Sequence, residues 1–434
     1  MAIYNYEEAF GAWDQTSRAM RKAISLWFRL YYGAGVEAEG DPCQRIAYSV
    51  VSKLVRTVFG EYNASADDPV TQAILNELNT IARQATEMSL VGGECYLKPC
   101  PHKAGFHFTL IPRTQVLIFG RDSLGNVTDI GTVERSSHGK HYYTLLERRT
   151  VDHEGFLTIR NMLFRSRSGQ NLGTRIGLSE HPAYQALPDS YRYSEPIGSV
   201  GLVRIKTPML NCVDGSEDGV SVYAPAVDLI RNIDENEAQL RGEFQRGQSR
   251  ILASRDLLRD DGSGNLLLQD HLFVGLDDDP EQVGITVFSP QLRHQSYLER
   301  KQEYLRNVES VVGLKRGMLS DANVDDRTAT EISSSAGDYN LTVMDFQRMW
   351  EQAVRDTVLL CSRLTKIYRM GSPKCNISID WGNGILYDED RTWENYLKMV
   401  EKGLLKPEIA LGWRFNMPAK TEADLASIRT RLMP

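Results

Sequence analysis

An α+β fold is predicted by three features of the sequence. Apolar residues recur at helical spacing before about residue 90 and again after about residue 219. Between about residues 92 and 164 the pattern changes to short segments rich in Val, Ile, Phe, Thr and Tyr, separated by glycine-containing turns, as in an antiparallel meander. Near the C-terminal third, one helical pattern runs far beyond the usual length of a globular helix.

The first helical region extends from Ile3 to about Leu90. In 43–60, Ile46, Val50, Val51, Leu54, Val55 and Val58 form one stripe, and Gly60 suits a C-terminal cap. Asp67, Asp68 and Pro69 suit the next helix start, leading into Ile74, Leu78, Ile81 and Met88. These stripes read as core packing. Strands are expected at Cys95–Lys98, Phe106–Ile111, Val116–Phe119, Val127–Glu134, Tyr142–Glu147 and Phe156–Phe164, with turns at 122–125, 136–139 and 152–155. Residues 165–187 read as a polar loop, and Val200–Lys206 as a further strand.

From Gly219 the chain reads as helical again. Pro225 suits a first turn, and Ala226, Ile230, Ile233, Glu237, Leu240 and Phe244 share a face that is apolar except for Glu237. About 22 residues give roughly 33 Å of helix. A strand-and-turn insertion over 249–289 follows, and then a second helix from about Pro290 to Val312, with Tyr297, Leu298, Tyr304, Leu305, Val308 and Val311 on its apolar face and Gly313 as its stop. After a polar loop, Thr328-Ala-Thr-Glu331 has capping-box spacing. The helix it opens extends to about Arg369 through Ile332, Ala336, Tyr339, Val343, Phe346, Trp350, Val354, Leu360, Leu364 and Ile367, and Gly371 and Pro373 stop it. A strand at 376–381 and helices near 392–401, 407–413 and 421–431 complete the chain.

Composition narrows the function. At 41% hydrophobic and 25% charged, the chain is an ordinary folded protein with a sizeable core. Its longest apolar stretches, such as 24–30 with Arg29 inside, fall short of the roughly 20 residues that span a membrane. Glu7 and Glu8 stand where a signal peptide would be basic and then apolar, so a soluble cytoplasmic origin is expected. The 6 cysteines form no CxxC pair and read as free thiols. A net charge of −7 argues against a tight or sequence-reading DNA binder, but suits a protein that DNA slides past.

Catalytic motifs are missing. Ser137-His-Gly-Lys140 lacks the first glycine and the terminal hydroxyl of a phosphate loop, Gly219-Val-Ser-Val-Tyr223 fails as a nucleophile elbow, and Gly262-Ser-Gly264 reads as a tight turn. Cys95, Cys100 and His102 have no second ligand pair at zinc spacing. Asp277, Asp278 and Asp279 carry the hard oxygens that magnesium or calcium take, but consecutive side chains cannot all converge on one ion, so a solvated loop is the better reading. Asp388, Glu389 and Asp390 are expected just before a helix start, where negative charge is favourable. A metal-dependent hydrolase built on either acidic cluster is the alternative from another class. Arg148, Arg149, Arg160, Arg165, Arg167 and Arg175 read as a charged sheet face or a subunit contact, since too few aromatics interleave for nucleic acid. No catalytic, cofactor-binding or metal residue is assigned.

Gly219, Ser221 and Tyr223 form an approach of the pattern G-x-S-x-aromatic, and Ala226, Asp228, Ile230, Ile233 and Asp234 lie along the helix it precedes. In this order they resemble the portal proteins of tailed phages that infect Gram-positive bacteria. Glu243, Gly247, Arg250 and Ile251 continue the match. Phe288-Ser-Pro-Gln-Leu-Arg293 resembles the motif opening the family's second helix, Arg327-Thr-Ala-Thr-Glu-Ile332 the one opening its long helix, and Val91-Gly-Gly-Glu-Cys-Tyr-Leu97 the first strand of its wing.

The resemblance implies a non-enzymatic structural protein of the virion, without cofactor, forming a ring of twelve subunits at one capsid vertex. Its DNA channel would serve genome packaging and ejection. The implied parts are an N-terminal wing of helices and antiparallel sheet (1–220), a stem helix (221–247), a small α/β clip (248–290), a second stem helix (291–313), a tunnel loop (314–328), a long wing helix (329–370) and a C-terminal wing with a reduced crown (371–434). Implied partners are the major capsid and scaffolding proteins, the terminase large subunit, the head–tail adaptor and double-stranded DNA passing without sequence preference, with no membrane. Lys315, Arg316 and Arg327 flank the loop and are the candidate DNA-proximal residues. Another head or connector protein is the runner-up in the same virion, disfavoured by the insertion between two stem-length helices.

Overall fold

A computed structural model describes residues 6–33, 42–102, 105–247, 250–253, 258–260, 266–268, 285–288, 291–321, 329–371, 373–382, 389–415, 417–419 and 421–433; of 250–288, 329–338, 389–392 and 423 it describes the backbone only. Helices hold 47% of the residues and antiparallel strands 21%, which is the expected α+β class. The chain divides into two compact units, one of 1–26, 51–222 and 330–434, the other of 27–50 and 223–329.

The chain opens with helices α1 (Tyr6–Phe10), α2 (Arg18–Tyr32) and α3 (Ile46–Val58), the last two divided between the units; in the first unit the short strand β1 (Asn63–Ser65) leads into helix α4 (Pro69–Gly92). Asp68 caps α4 by accepting from the Thr71 amide at 2.9 Å, Pro69 stands in its first turn, and Gly93, at φ 82°, closes it in the left-handed region. Ile74, Leu75, Leu78, Ala82, Ala85 and Leu90 are buried along its length. Strands β2 (Glu94–His102) and β3 (Gly105–Pro112) form a hairpin, and β10 (Val203–Lys206) joins β2 on its other side. The second sheet is the expected meander: β4 (Val116–Arg121), β5 (Val127–His138), β6 (His141–Val151), β7 (Leu157–Ser166) and β8 (Thr174–Ile176) lie in chain order, and β9 (Ser190–Arg192) also pairs with β7. Two of the turns use one device. The Asp122 carboxylate accepts from the amides of Leu124 and Asn126, that of Asp152 from Glu154 and Phe156, and Gly125 and Gly155 supply positive φ.

The structure revises the reading of 165–187 as a polar loop. This stretch contributes β8 to the sheet and buries Leu178, His181 and Tyr184 against Tyr143, Leu145 and Leu163. Its apolar residues are single anchors among polar neighbours, so no periodicity betrays them. The helix expected near 392 begins at Glu389, so Glu389 and Asp390 form its first turn instead of preceding it. The long helix spans Ala329–Tyr368, 40 residues, with Tyr339, Val343, Phe346, Trp350, Val354, Leu360 and Leu364 buried as its stripe requires. Beyond it, Ser378–Asp380 pairs with β1, and helices Glu389–Glu401, Pro407–Arg414 and Glu422–Leu432 follow.

The second unit is built on two helices, α5 (Val227–Arg246) and α6 (His294–Val312). They are antiparallel. Glu237 pairs with Lys301 at 2.9 Å and Glu243 with Arg293 at 3.0 Å, so the partner number falls as the residue number rises, and the Asn236 side-chain amide donates to Tyr297 O at 2.9 Å. Glu237, the one charged residue on the expected apolar face, is thereby neutralised by the opposite helix. Between these helices, Arg250–Ala253 pairs antiparallel with Ile285–Phe288, and Leu258–Asp260 with Leu266–Leu268, so the inner hairpin is nested within the outer pair. Phe244, Leu298 and Val311, counted with the apolar faces from sequence, are about half exposed.

In the large sheet of the first unit, Glu147 is buried between Lys98 and Arg149, at 2.7 Å from each. Burial alone would raise the Glu147 carboxyl, but the charges of Arg149 and Lys98 outweigh it and hold it at about 2, against an ordinary 4.5. A carboxyl whose folded value is depressed adds stability that is complete above its unfolded value and is lost as the pH falls through its folded one. Melting temperature against pH is therefore expected to drop between about 4.5 and 2, and less steeply in Arg149→Met. At neutral pH, denaturant unfolding of Arg149→Met is expected to show a loss of about 3 kcal/mol, because one partner of a buried pair is removed.

Candidate functional site

Two segments far apart in sequence meet in the first unit. Gly93 and Gly219 pack backbone to backbone: a Cβ on Gly219 would lie 2.2 Å from Gly93 O, and one on Gly93 would lie 2.3 Å from the Gly219 carbonyl. Thr207 bridges them, its hydroxyl near Gly93 O at 3.0 Å and Val220 O at 2.7 Å. Ser221 Oγ donates to Leu90 O at 3.0 Å, and the Val222 amide donates to the same oxygen at 2.9 Å, engaging a carbonyl in the last turn of α4. Beneath this contact lies the fully buried carboxylate of Glu94. Arg113 reaches it at 2.9 Å and Arg204 Nε at 2.6 Å, while Asp218 takes Arg121 at 2.8 Å and Arg113 at 3.5 Å. Burial pushes Glu94 up, but Arg204 and Arg113 outweigh it and hold it below the usual carboxylate range. Gly93, Glu94, Gly219 and Ser221 stood in two separate motifs; the fold makes them one junction.

The second unit carries the other candidate. Helix α6 ends at Gly313, φ 77°, where the amides of Gly313 and Leu314 both donate to Glu309 O. A turn follows in which the Met318 amide donates to Lys315 O at 3.2 Å, with Gly317 at φ 89° in its third position. Lys315 and Arg316 occupy the first two positions of that turn and are exposed. Past the turn, the chain returns to the buried carboxylate of Glu309. It accepts from the amides of Gly317 at 3.1 Å, Leu319, and Ser320 at 2.9 Å, and from the Ser320 hydroxyl at 2.8 Å. The Asp321 amide then donates to Gln302 Oε1 at 2.8 Å.

Of the residues singled out from sequence, Lys315 and Arg316 thus share one turn, while Arg327 lies outside the described residues, as do Asp277, Asp278, Asp279 and Asp388. Cys95 and Cys100 do not converge: Cys95 is buried against Ser89 and Ala85, its thiol pushed up to about 12 by burial, whereas Cys100 faces Thr109 and His102 stacks on His107. Among the described residues, no group of three His, Cys, Asp or Glu is placed to hold a metal ion, and no helix is long and apolar enough to cross a membrane. Half of the arginine-rich stretch is committed within the unit: Arg148 binds Asp129, Arg149 binds Glu147, and Arg165 binds Glu180, while Arg160, Arg167 and Arg175 are exposed. Sequence reasoning missed Glu94 and Glu309. Each carried a readable signal, Glu94 as an acid directly after two glycines at a strand start, and Glu309 as an acid inside an apolar stripe four residues before a stop glycine.

The family described as phage portal protein, SPP1 Gp6-like, matches this chain over residues 71–427. No curated protein matches it.

Glu94→Gln is expected to destabilise the protein by about 3 kcal/mol or to prevent folding, because the buried guanidinium of Arg113 and the half-buried one of Arg204 lose the charge that pairs them. Gly219→Ala is expected to cost a similar ~3 kcal/mol through overlap with Gly93 O. Denaturant midpoints at neutral pH check both, and wild-type midpoints would remove the junction from its central place.

Proposed function

The chain belongs to the phage portal protein family, SPP1 Gp6-like, and from that premise we propose that it forms a ring-shaped conduit at one capsid vertex. Double-stranded DNA passes through the ring during packaging and ejection, and the ring docks the terminase large subunit and later the head–tail adaptor, alongside the capsid and scaffolding proteins. It acts as a structural part and does no chemistry on the DNA. In this reading 221–247 and 291–313 are the stem, 248–290 the clip, 314–328 the tunnel loop, 1–220 and 329–370 the wing, and 371–434 its C-terminal part with a reduced crown.

The observation that carries the reading is the antiparallel pair α5 and α6. Its interhelical polar contacts align the helices, and nested strand pairs return the chain between them. Such a pair presents one face to its partner and leaves the other for neighbours or solvent. On α6, Ser296, Glu299, Glu303, Asn307 and Ser310 share an exposed face of acidic and neutral polar groups. The acidic and neutral groups of that row offer a polyanion little to hold, with Arg300 the exposed cation beside it, whereas the Lys315–Arg316 pair at the helix end offers a brief phosphate contact. Head-to-tail contacts between copies close into a ring when the rotation fits.

Native mass spectrometry and negative-stain imaging of the full chain test this. Rings with a central hole and a mass near twelve times 49.0 kDa are expected. A monomer at every salt concentration, with and without co-expressed scaffolding protein, would refute the conduit.

A further inference from the structure

We propose that Glu309 is the positioning residue for the Lys315–Arg316 pair: it folds 313–321 back along α6, so that the two cations stand at a fixed reversal. The proposal rests on the conduit reading above. Residues 302 and 309 are separated by about two helical turns and so share a face of α6. Anchored at 309 and then at 302, the returning segment runs antiparallel beside the helix for about 10 Å. Leu314 and Ser320 are buried on either side of the turn, while Lys315 and Arg316 between them are exposed. Among the described residues, neither cation has an ion pair or a side-chain hydrogen bond.

The carboxylate's bonds define its role. Its side-chain oxygens accept from Gly317, Leu319 and Ser320, all in the returning segment. An apolar side chain would fill this position in the stripe at lower desolvation cost, so the acid earns its place through the segment it holds. Backbone amides on a carboxylate are among the stronger hydrogen bonds and fix direction as well as distance. Arg316, in the second position of a turn whose third residue is glycine at positive φ, stands at the outer corner. The cations thus sit at the stem end of the loop, before residues 322–328.

The test uses full-length portal in phage particles with four changes: Glu309→Gln, Gly317→Ala, Lys315→Ala with Arg316→Ala, and the Glu309→Gln change added to that double change. Glu309→Gln replaces an accepting oxygen with a donor at nearly constant shape. Gly317→Ala strains the turn without touching the helix pair, and serves if the first variant fails to assemble. Amide exchange at Gly317, Leu319 and Ser320 is expected to quicken about tenfold or more in Glu309→Gln, with ring mass unchanged. DNA content of heads, followed against salt, is expected to fall in Glu309→Gln and Gly317→Ala by the same factor as in the double alanine variant, with a flatter salt dependence. Adding Glu309→Gln to the double alanine is expected to produce no further loss, the sign that both act through one contact. Faster exchange in Glu309→Gln with normal, normally salt-dependent DNA content overturns the positioning role alone. A double alanine variant that packages and retains DNA as wild type does removes the DNA-facing reading of the turn, and the proposal with it.

Discussion

A carboxylate with no access to water must be met by opposite charge or by hydrogen-bond donors, and Glu94, met by arginines, imposes that constraint on the larger unit. Arg113 comes from the turn before β4 and Arg204 from β10, while Arg121 and Asp218 extend the network to the end of β4 and to the loop before Gly219. The stretch from 113 to 121 and the stretch from 204 to 218 are far apart in sequence, and neither can shift without leaving a buried charge unpaired. The network therefore fixes where α4 ends, where the three-stranded sheet begins and how 217–222 lies across Gly93. The two glycines allow the backbones to approach closely enough for Ser221 and Val222 to engage Leu90 O.

The same physics recurs at smaller scale. Glu147 is clamped between Arg149 of its own strand and Lys98 of β2, and Glu309 is satisfied by backbone amides and one hydroxyl. The difference in partner separates two uses. A buried acid paired with arginines locks elements that are already regular. A buried acid that collects amides shapes a segment with no ladder of its own, because those amides would otherwise be left without acceptors. At Glu309 that segment carries the two exposed cations, which is why an interior residue bears on what the surface does.

Much of the fold was readable because it is local. The start of α4 at Asp68–Pro69, the stop at Gly313, the turns built on Asp122 and Asp152 and the stripe of the 40-residue helix each depend on residues within a turn or two of one another. The failures share a cause as well. Residues 165–187 read as loop because their buried anchors are isolated, and Leu298 and Val311, placed on an apolar face, stay half exposed because spacing alone cannot tell which edge of a stripe a partner covers.

Local patterns were enough for the order and type of most elements, for the family and for the placing of Lys315 and Arg316 after a helix stop. These follow from periodicity, capping and turn chemistry, which act over a few residues. Long-range packing is what brings Gly93 against Gly219, gathers three arginines and an aspartate around Glu94, and lets Glu309 reach past the end of its own helix to hold 317–320. Those contacts depend on where the chain closes upon itself, and burial, which sets their strength, is a property of the packed whole and not of any window of sequence.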